Sequence, residues 1–271
     1  GNRHQCIRKR IAGNKFNASY HAMDTSWMER TALLVGKKGL EKLNNAHVLV
    51  VGLGGVGSYA AEAIGRSGVG KMTIIDGDTV DPTNRNRQLQ ALVNTHGQNK
   101  AHLMAERLRL INPDMQLTVI DEFRSPDDMK LLLSQKFSYV VDAIDSISPK
   151  LYLLQTAYYN NQRIISSMGA GGKMDPTKIR VVDISQTRIC PMAQYVRKRL
   201  RYMNIFKGIK SVYSTELPAK FSIMHTDGNK FKKSAYGTIS YLPAAFGLTC
   251  ASVVIRDITG WKEVKTGTAK K

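Results

Sequence analysis

The stretch His47-Val48-Leu49-Val50-Val51-Gly52-Leu53-Gly54-Gly55-Val56-Gly57, continued by Ile74-Ile75-Asp76, decides the fold of this chain. An apolar run feeds a glycine turn, the turn opens a helix, and a second apolar run ends in an acid. That order describes a strand–turn–helix–strand unit that holds a nucleotide. Among Gly52, Gly54, Gly55 and Gly57, one glycine lets the strand turn sharply, one lets phosphate oxygens approach the backbone, and one lets helix and sheet pack closely. The helix N-terminus offers unpaired N–H groups and a partial positive charge to the phosphates. Asp76 lies about 20 residues on, where an acid receives ribose hydroxyls. By itself the turn suits a nicotinamide dinucleotide as well as a nucleoside triphosphate.

The residues after Asp76 separate the two. They read Asp76-Gly77-Asp78-Thr79-Val80-Asp81-Pro82-Thr83-Asn84-Arg85-Asn86-Arg87-Gln88, then Gly97-Gln98-Asn99-Lys100. A dinucleotide needs little added positive charge, because the helix end largely serves its pyrophosphate. A triphosphate carries more charge, and expelling pyrophosphate builds still more on the leaving group. Fixed Arg and Lys side chains answer that charge through charge-assisted hydrogen bonds. Arg87 and Lys100 supply them, and Asn84 can bridge ribose and phosphate. Arg85 reads as an ordinary surface charge.

Further on, Tyr139-Val140-Val141-Asp142-Ala143-Ile144-Asp145-Ser146 is a short buried strand that ends in two acids three residues apart. Open parallel sheets place ligands beyond the carboxyl ends of their strands. Asp145 then faces the nucleotide, where a carboxylate can hold magnesium against phosphates. Asp142 stays open between a site acid and a helix N-cap or turn acid.

With these residues the chain resembles the adenylation domain of the ubiquitin-activating-type superfamily, which includes bacterial enzymes that adenylate sulfur-carrier proteins. The resemblance implies an α/β fold: a Rossmann-like, doubly wound, mostly parallel sheet with a C-terminal extension of further strands and helices. It implies ATP and Mg2+ held by Gly52, Gly54, Gly55, Gly57, Asp76, Asp78, Asn84, Arg87 and Lys100, with Asp145 as the metal carboxylate. It also implies catalytic roles for Arg87, Lys100 and Asp145, and an arginine supplied by the other subunit of a homodimer. Arg30, in Met28-Glu29-Arg30-Thr31-Ala32-Leu33-Leu34-Val35-Gly36, is the candidate. Without the resemblance it reads as an exposed arginine on an amphipathic helix.

The second half narrows the choice. Ser167-Met168-Gly169-Ala170-Gly171-Gly172-Lys173-Met174-Asp175-Pro176-Thr177-Lys178 looks like a strand end, a glycine-rich loop and a new strand. Asp183 to Ala193, Val196 to Leu200, Val212 to Glu216 and Gly237 to Pro243 follow. From Ser26 to Ile258 this order resembles the tRNA threonylcarbamoyladenosine dehydratase family, with Gly172 a departure from its usual pattern. The resemblance implies that ATP adenylates the threonyl carboxylate of N6-threonylcarbamoyladenosine beside the tRNA anticodon. The neighbouring carbamoyl group then attacks, a ring closes, and AMP leaves. The nucleophile is tethered to the electrophile, so no enzyme nucleophile is required. The same resemblance brings in cysteine desulfurase or sulfur-acceptor proteins as partners and a monovalent cation (Na+ or K+) near Gly169–Gly172.

Charge agrees with a nucleic-acid substrate. Forty Lys and Arg against 21 Asp and Glu leave a formal net charge of +19, the footprint of a polyanion partner. Arg197, Lys198, Arg199 and Arg201 are the leading tRNA-binding candidates, within a basic span that runs to Lys233 through Lys207, Lys210, Lys220, Lys230 and Lys232. Tyr195, Tyr202, Phe206, Phe221, Phe231 and Tyr236 are interleaved and can stack an unpaired base. The competing reading is a solvated basic helix face with its aromatics in the core.

The remaining sequence sets bounds. The divisions expected are 1–22, a basic arm or an over-called start upstream of Met23; 23–168, the adenylation core; 169–260, a substrate-binding lobe; and 261–271, a frayed tail. The three cysteines, Cys6, Cys190 and Cys250, include no Cys-x-x-Cys pair, so the zinc knot of some superfamily members is not expected. Cys190 precedes Pro191 at an expected helix start, and Cys250 reads as a small core residue. No secretory signal pattern or membrane span stands out. A cytoplasmic location is expected, with peripheral contact to an anionic membrane left open. Two other classes of function compete: activation of a ubiquitin-like or sulfur-carrier C-terminus, and nucleotide binding without turnover.

Overall fold

The computed structural model describes residues 26–225 and 234–262. The basic arm, the start at Met23, Lys230, Phe231, Lys232, Lys233 and the tail beyond residue 262 lie outside the described residues.

The strand of the opening motif, β1 (His47–Val51), lies mid-sheet between β2 (Lys71–Ile75) and β4 (Tyr139–Asp142) and runs parallel to both. Val50 stands opposite Ile74 on one side and Val141 on the other. Both faces of β1 are covered by helices, which is why its sequence is a continuous apolar run rather than an alternation. With β3 (Gln116–Ile120), β5 (Ile164–Ser167), β6 (Ile179–Asp183) and β7 (Lys210–Ser214), the order across the sheet is β3-β2-β1-β4-β5-β7-β6. Only β6 is antiparallel to its neighbour. The chain winds outward from β1 to β3, then restarts on the other side at β4. The crevice between β1 and β4 is the switch point at which such sheets bind ligands.

One face of the sheet carries α1 (Glu29–Asn44), α2 (Gly57–Gly65), α3 (Lys100–Ile111) and α7 (Tyr241–Thr259). The other carries α4 (Pro126–Leu132), α5 (Ile147–Tyr159) and α6 (Pro191–Tyr202). The amphipathic helix that carries Arg30 is broken at Gly36, whose φ of 73° departs from helical geometry. In α6, Pro191 occupies the first turn and Ala193, Val196 and Leu200 form the buried stripe. A short hairpin of β8 (Ile223–His225) and β9 (Ser234–Tyr236) stands outside the main sheet.

The boundary expected at residue 168 falls between β5 and β7, hydrogen-bonded neighbours of one sheet. Residues 169–260 share the cores of the first half as well. Val212, Leu242, Phe246 and Val254 pack with Val50, Ile64 and Ile74. The reason is α7, which lies so close on α2 that a Cβ at Gly247 would sit 2.2 Å from the Val56 carbonyl oxygen. Its 19 residues are long and apolar enough to cross a membrane by composition alone. Here Leu242, Phe246, Cys250 and Val254 are fully buried in protein.

Beneath the carboxyl ends of β4 and β5 lies a buried ion pair. Lys150 Nζ donates to Asp142 Oδ2 at 2.6 Å and to the Ser167 carbonyl at 2.9 Å. Ser166 Oγ donates to the same carboxylate oxygen at 2.5 Å, and the Ile144 N–H donates to Oδ1 at 3.1 Å. Both charged side chains are fully buried. Asp142 therefore resolves as the acid that ties α5 to the two strands and shapes the 143–146 turn. Replacing Lys150 by Met strands a buried carboxylate, so urea titration should show a loss of about 3–5 kcal/mol, most of it recovered when Asp142 is also changed to Leu.

Candidate active site

The glycine turn is built on close backbone contacts. Gly52 has φ +87°, and a Cβ there would meet the Ala143 carbonyl oxygen at 2.9 Å. Gly57 is tighter still: its Cβ would lie 1.7 Å from the Gly52 carbonyl oxygen. The first turn of α2 therefore folds back on the end of β1, and no side chain caps its N–H groups. Those amides face the switch point, where anions bind at helix ends. Around Gly54, Gln88 is the nearest side chain, with Nε2 3.8 Å from a built Cβ, while Gly55 is flanked by Arg87 and Pro243.

Asp76 directly follows β2 and uses both oxygens. Oδ2 accepts the Leu53 N–H at 2.6 Å, and Oδ1 accepts the Asp78 N–H at 2.9 Å. The first bond locks the glycine turn to the neighbouring strand. Burial pushes the Asp76 carboxyl above the ordinary range, and the Lys100 ammonium opposes that shift. A carboxylate has about four lone-pair positions, so two bonded N–H groups leave capacity for ribose hydroxyls.

Lys100 stands at the first turn of α3, placed there by Asn99, whose Oδ1 accepts the N–H groups of Ala101 and His102. The backbone of 78–80 pairs with 97–100, through bonds from Val80 N–H to Gln98 O and from Lys100 N–H to Asp78 O. That pairing sets Lys100 Nζ 3.2 Å from Asp78 Oδ2. Lys100 is 6% exposed, an ammonium held nearly dry beside two acids.

Arg87 is half-buried. Its Nη1 donates to the Thr83 carbonyl at 3.1 Å and to Asn86 Oδ1 at 2.8 Å. Burial lowers its pKa and the Asp145 carboxylate raises it, which places the 143–146 turn within electrostatic range of Arg87. Asp145 is exposed at the mouth. Asn84 is buried, and its Oδ1 accepts the Asp81 N–H at 3.1 Å to close a 3-10 turn over Pro82–Asn84. Its carbonyl end is thus taken up by the turn that presents Arg87. Arg85 is exposed.

Arg30 is exposed in the first turn of α1. Two residues earlier, Met28 packs on Gly68, past the far end of α2 from the glycine turn. Within one chain the fold does not bring Arg30 to Arg87 and Lys100. On α6, Lys198, Arg199 and Arg201 are exposed together with Tyr195 and Tyr202. Arg197 instead turns inward, and its Nη1 donates to the Thr187 carbonyl at 2.9 Å and to Thr187 Oγ1 at 2.6 Å. Cys190 is buried at the start of α6, and burial pushes the Cys250 thiol up to about 12.

Three polar groups near the site carried no sequence signal. Gln90 Nε2 donates to the Leu53 carbonyl at 2.7 Å from inside the fold. Gln88 and Gln90 are both buried, and their Oε1 atoms have no hydrogen-bond partner among the described residues. Lys173, in the glycine-rich loop, is buried with Nζ 2.5 Å from the Gly169 carbonyl. Burial lowers its pKa, against the pull of Cys190 and Glu216.

Among the described residues no cluster of three or more His, Cys, Asp or Glu side chains could hold a metal. A lone carboxylate at a pocket mouth suits a magnesium ion that keeps its waters and arrives on substrate phosphates.

The ThiF family matches residues 28–270. The tRNA threonylcarbamoyladenosine dehydratase of Escherichia coli (strain K12) is 44% identical over 201 residues, covering 70% of this chain and 75% of the relative. The enzyme of that name from Bacillus subtilis (strain 168) is 39% identical over 243 residues, 87% of this chain and 96% of the relative. Crystal structures of an E. coli tRNA N6-threonylcarbamoyladenosine dehydratase, in complex with AMP and with ATP, superpose with TM-scores of 0.79 and 0.78. Each is 38% identical and covers 87% of this chain and 95% of that one. A glycine turn locked to Asp76, with Arg87 and Lys100 ranged along its rim, thus accompanies a match over most of the length: the chain belongs to the ThiF family.

Proposed function

We propose that this protein is an ATP-dependent dehydratase of tRNA that carries N6-threonylcarbamoyladenosine beside the anticodon. The observation that carries the reading is the gathering of Asp76, Lys100, Arg87 and Asp145 around the open N-terminus of α2. Relatives named for this activity, matched over most of their length, and a neighbour crystallised with ATP support it.

The geometry suits adenylation in the following way. The glycine turn and the α2 amides receive phosphate oxygens, and Asp76 receives the ribose. The threonyl carboxylate attacks the α-phosphate, and pyrophosphate departs toward Arg87 and Lys100. Two preplaced cations stabilise charge that grows in the transition state without moving to do so. Asp145 would hold magnesium, which when bound neutralises phosphate charge. The carbamoyl oxygen or nitrogen of the same nucleoside then attacks the mixed anhydride, the ring closes, and AMP leaves. The net change is loss of one water. Proximity within one nucleoside replaces an enzyme nucleophile, in keeping with the inert, buried Cys250 thiol. A monovalent cation near Gly169–Gly172 remains part of the proposal; Lys173 already sets one positive charge against that loop.

The reading includes a homodimer in which Arg30 of one subunit completes the pocket of the other, since Arg30 sits at the wrong end of α2 for its own. Lys198, Arg199 and Arg201 grip tRNA phosphates, while Arg197 fixes the turn beneath them. ATP–pyrophosphate exchange tests the core of the proposal. Exchange that requires threonylcarbamoylated tRNA supports it. Exchange driven by a carrier protein with a C-terminal Gly-Gly would favour the sulfur-carrier activator, and no exchange with either would leave a binding module.

Three measurements follow. Arg87→Ala and Lys100→Ala should each slow adenylation by more than about tenfold, the scale of losing one charge-stabilising contact, and near-normal rates would remove them from the mechanism. Mixing inactive Arg30→Ala and Lys100→Ala subunits should restore up to about a quarter of wild-type activity, because half the dimers would hold one intact pocket; no recovery would mean that Arg30 acts within its own chain or not at all. Changing Lys198, Arg199 and Arg201 together to Ala should weaken tRNA binding and flatten its salt dependence, whereas an unchanged slope would place the RNA elsewhere.

A further inference from the structure

At the edge of the sheet farthest from β3, a cavity of about 620 Å³ opens beside β6 and β7. It is separate from the glycine turn. Arg180 and Arg188 line it, with the hydroxyls of Ser185, Tyr213 and Thr215 and the amide of Gln186, and no acid is among its lining residues. Arg180 stands directly opposite Tyr213 in the β6–β7 register, so the two share one face of the sheet.

Three features mark the cavity as a binding site. The first is Tyr213, which is 5% exposed and lines the cavity, while its hydroxyl takes no hydrogen bond among the described residues. The ring is thus packed while the hydroxyl is left available to a molecule in the cavity. The second is the pair of guanidinium groups. Arg180 Nη1 is anchored on the Thr177 and Ile179 carbonyls at 2.7 and 2.8 Å, which fixes the group while its remaining N–H donors stay unused. The Arg188 side chain is exposed, and its guanidinium makes no hydrogen bond or ion pair among the described residues. Two unopposed guanidiniums around a polar hollow suit a phosphate.

The third feature is continuity. Thr187 forms part of the wall, and the Arg197 guanidinium that holds it comes from α6, whose outer face carries Lys198, Arg199 and Arg201. In the other direction, β7 is three strands from β1 across the sheet, through β5 and β4. At the usual strand spacing that is roughly 14 Å, and β7 ends at the same edge of the sheet as the glycine turn. A chain leaving the nucleotide pocket along that edge reaches the cavity and then α6.

We propose that this cavity holds a phosphodiester of the RNA substrate near the modified nucleoside. The phosphate lies between Arg180 and Arg188, the Tyr213 hydroxyl bonds to a phosphate or ribose oxygen, and Ser185 Oγ, whose proton goes to Asp183 Oδ1 at 2.6 Å, accepts from a ribose hydroxyl. A ribose 2′-OH can serve both as donor and as acceptor there. A protein strand adding to β6 is the competing occupant of this edge. It is disfavoured because Arg180 sits on the edge strand, a charge of the kind that blocks strand pairing.

The inference rests on the dehydratase reading for the identity of the RNA. The test uses the full-length protein with Arg180→Ala and Arg188→Ala combined, Arg188→Ala alone, and Tyr213→Phe. Binding of threonylcarbamoylated tRNA is measured by fluorescence anisotropy across a salt series, ATP binding is measured beside it, and AMP release is followed with tRNA and with the free modified nucleoside. The double variant should bind tRNA about tenfold more weakly, and its salt slope should fall by about 1–2, the count of lost phosphate contacts. ATP affinity and AMP release with the nucleoside should not change. Arg188→Ala, which removes a side chain without partners, should give the same change at smaller size, so a folding defect in the double variant would not hide the result. Tyr213→Phe should raise KM for tRNA with kcat unaltered. Unchanged tRNA affinity and slope in the arginine variants would overturn the assignment, as would a defect limited to binding of a protein partner. Wild-type protein that binds tRNA through these arginines yet releases no AMP would instead sink the dehydratase reading and leave the cavity assignment standing.

Discussion

The carbonyl oxygen of Gly52 lies where a Cβ on Gly57 would be 1.7 Å away. No side chain can enter that contact, so the end of β1 and the start of α2 are fixed against each other by backbone alone. Much else is referenced to this point. The Leu53 N–H reaches Asp76 because the turn is held down. Ala143 closes over Gly52 from β4, which sets the origin of the turn that bears Asp145. Arg87 packs along Gly55. The position of each charged group in the pocket is therefore defined relative to one short run of main chain, and main chain of this kind does not adjust through rotamers.

The charges around this turn are arranged in tension rather than in balance. Lys100 is nearly dry yet has Asp78 beside it, and Asp76 is half-buried, with its pKa raised by loss of solvent. Arg87 rests on a backbone carbonyl and an amide oxygen and feels Asp145 across the gap. Cations held by weak or single partners keep most of their donor capacity for an incoming anion, whereas bidentate pairing with a buried acid would have consumed it. Lys150 shows the contrast: buried, bonded to Asp142 and to Ser167, it has a structural task and little capacity left.

Much of this was legible in the residues. The strands β1 and β4 run over His47–Val51 and Tyr139–Asp142, as their apolar runs imply. Strands buried on both faces announce themselves by continuous hydrophobicity. Less legible was the place of residues 169–260, because the position of β7 between β5 and β6 depends on a crossover that no local pattern encodes. The break at Gly36 was hidden because a glycine within a helical pattern is tolerated as often as it interrupts. Arg197 reads as one more basic residue in a basic run, yet it lies four residues after Ala193 and so falls beside the buried stripe of α6. Lys150, Gln88 and Gln90 follow no spacing rule. They are polar residues whose burial is set by elements distant in the chain.

The Asp142–Lys150 pair has a consequence for how this protein can change over time. Each partner is intolerable in the interior without the other, since a solitary charge there has no water to turn to. Drift at either position must pass through a poorly folded intermediate unless both are altered together or Ser166 takes over part of the bonding. The two sites should therefore behave as a single heritable character, replaced jointly between lineages or kept jointly, while the exposed cations of α6 are at liberty to vary one by one.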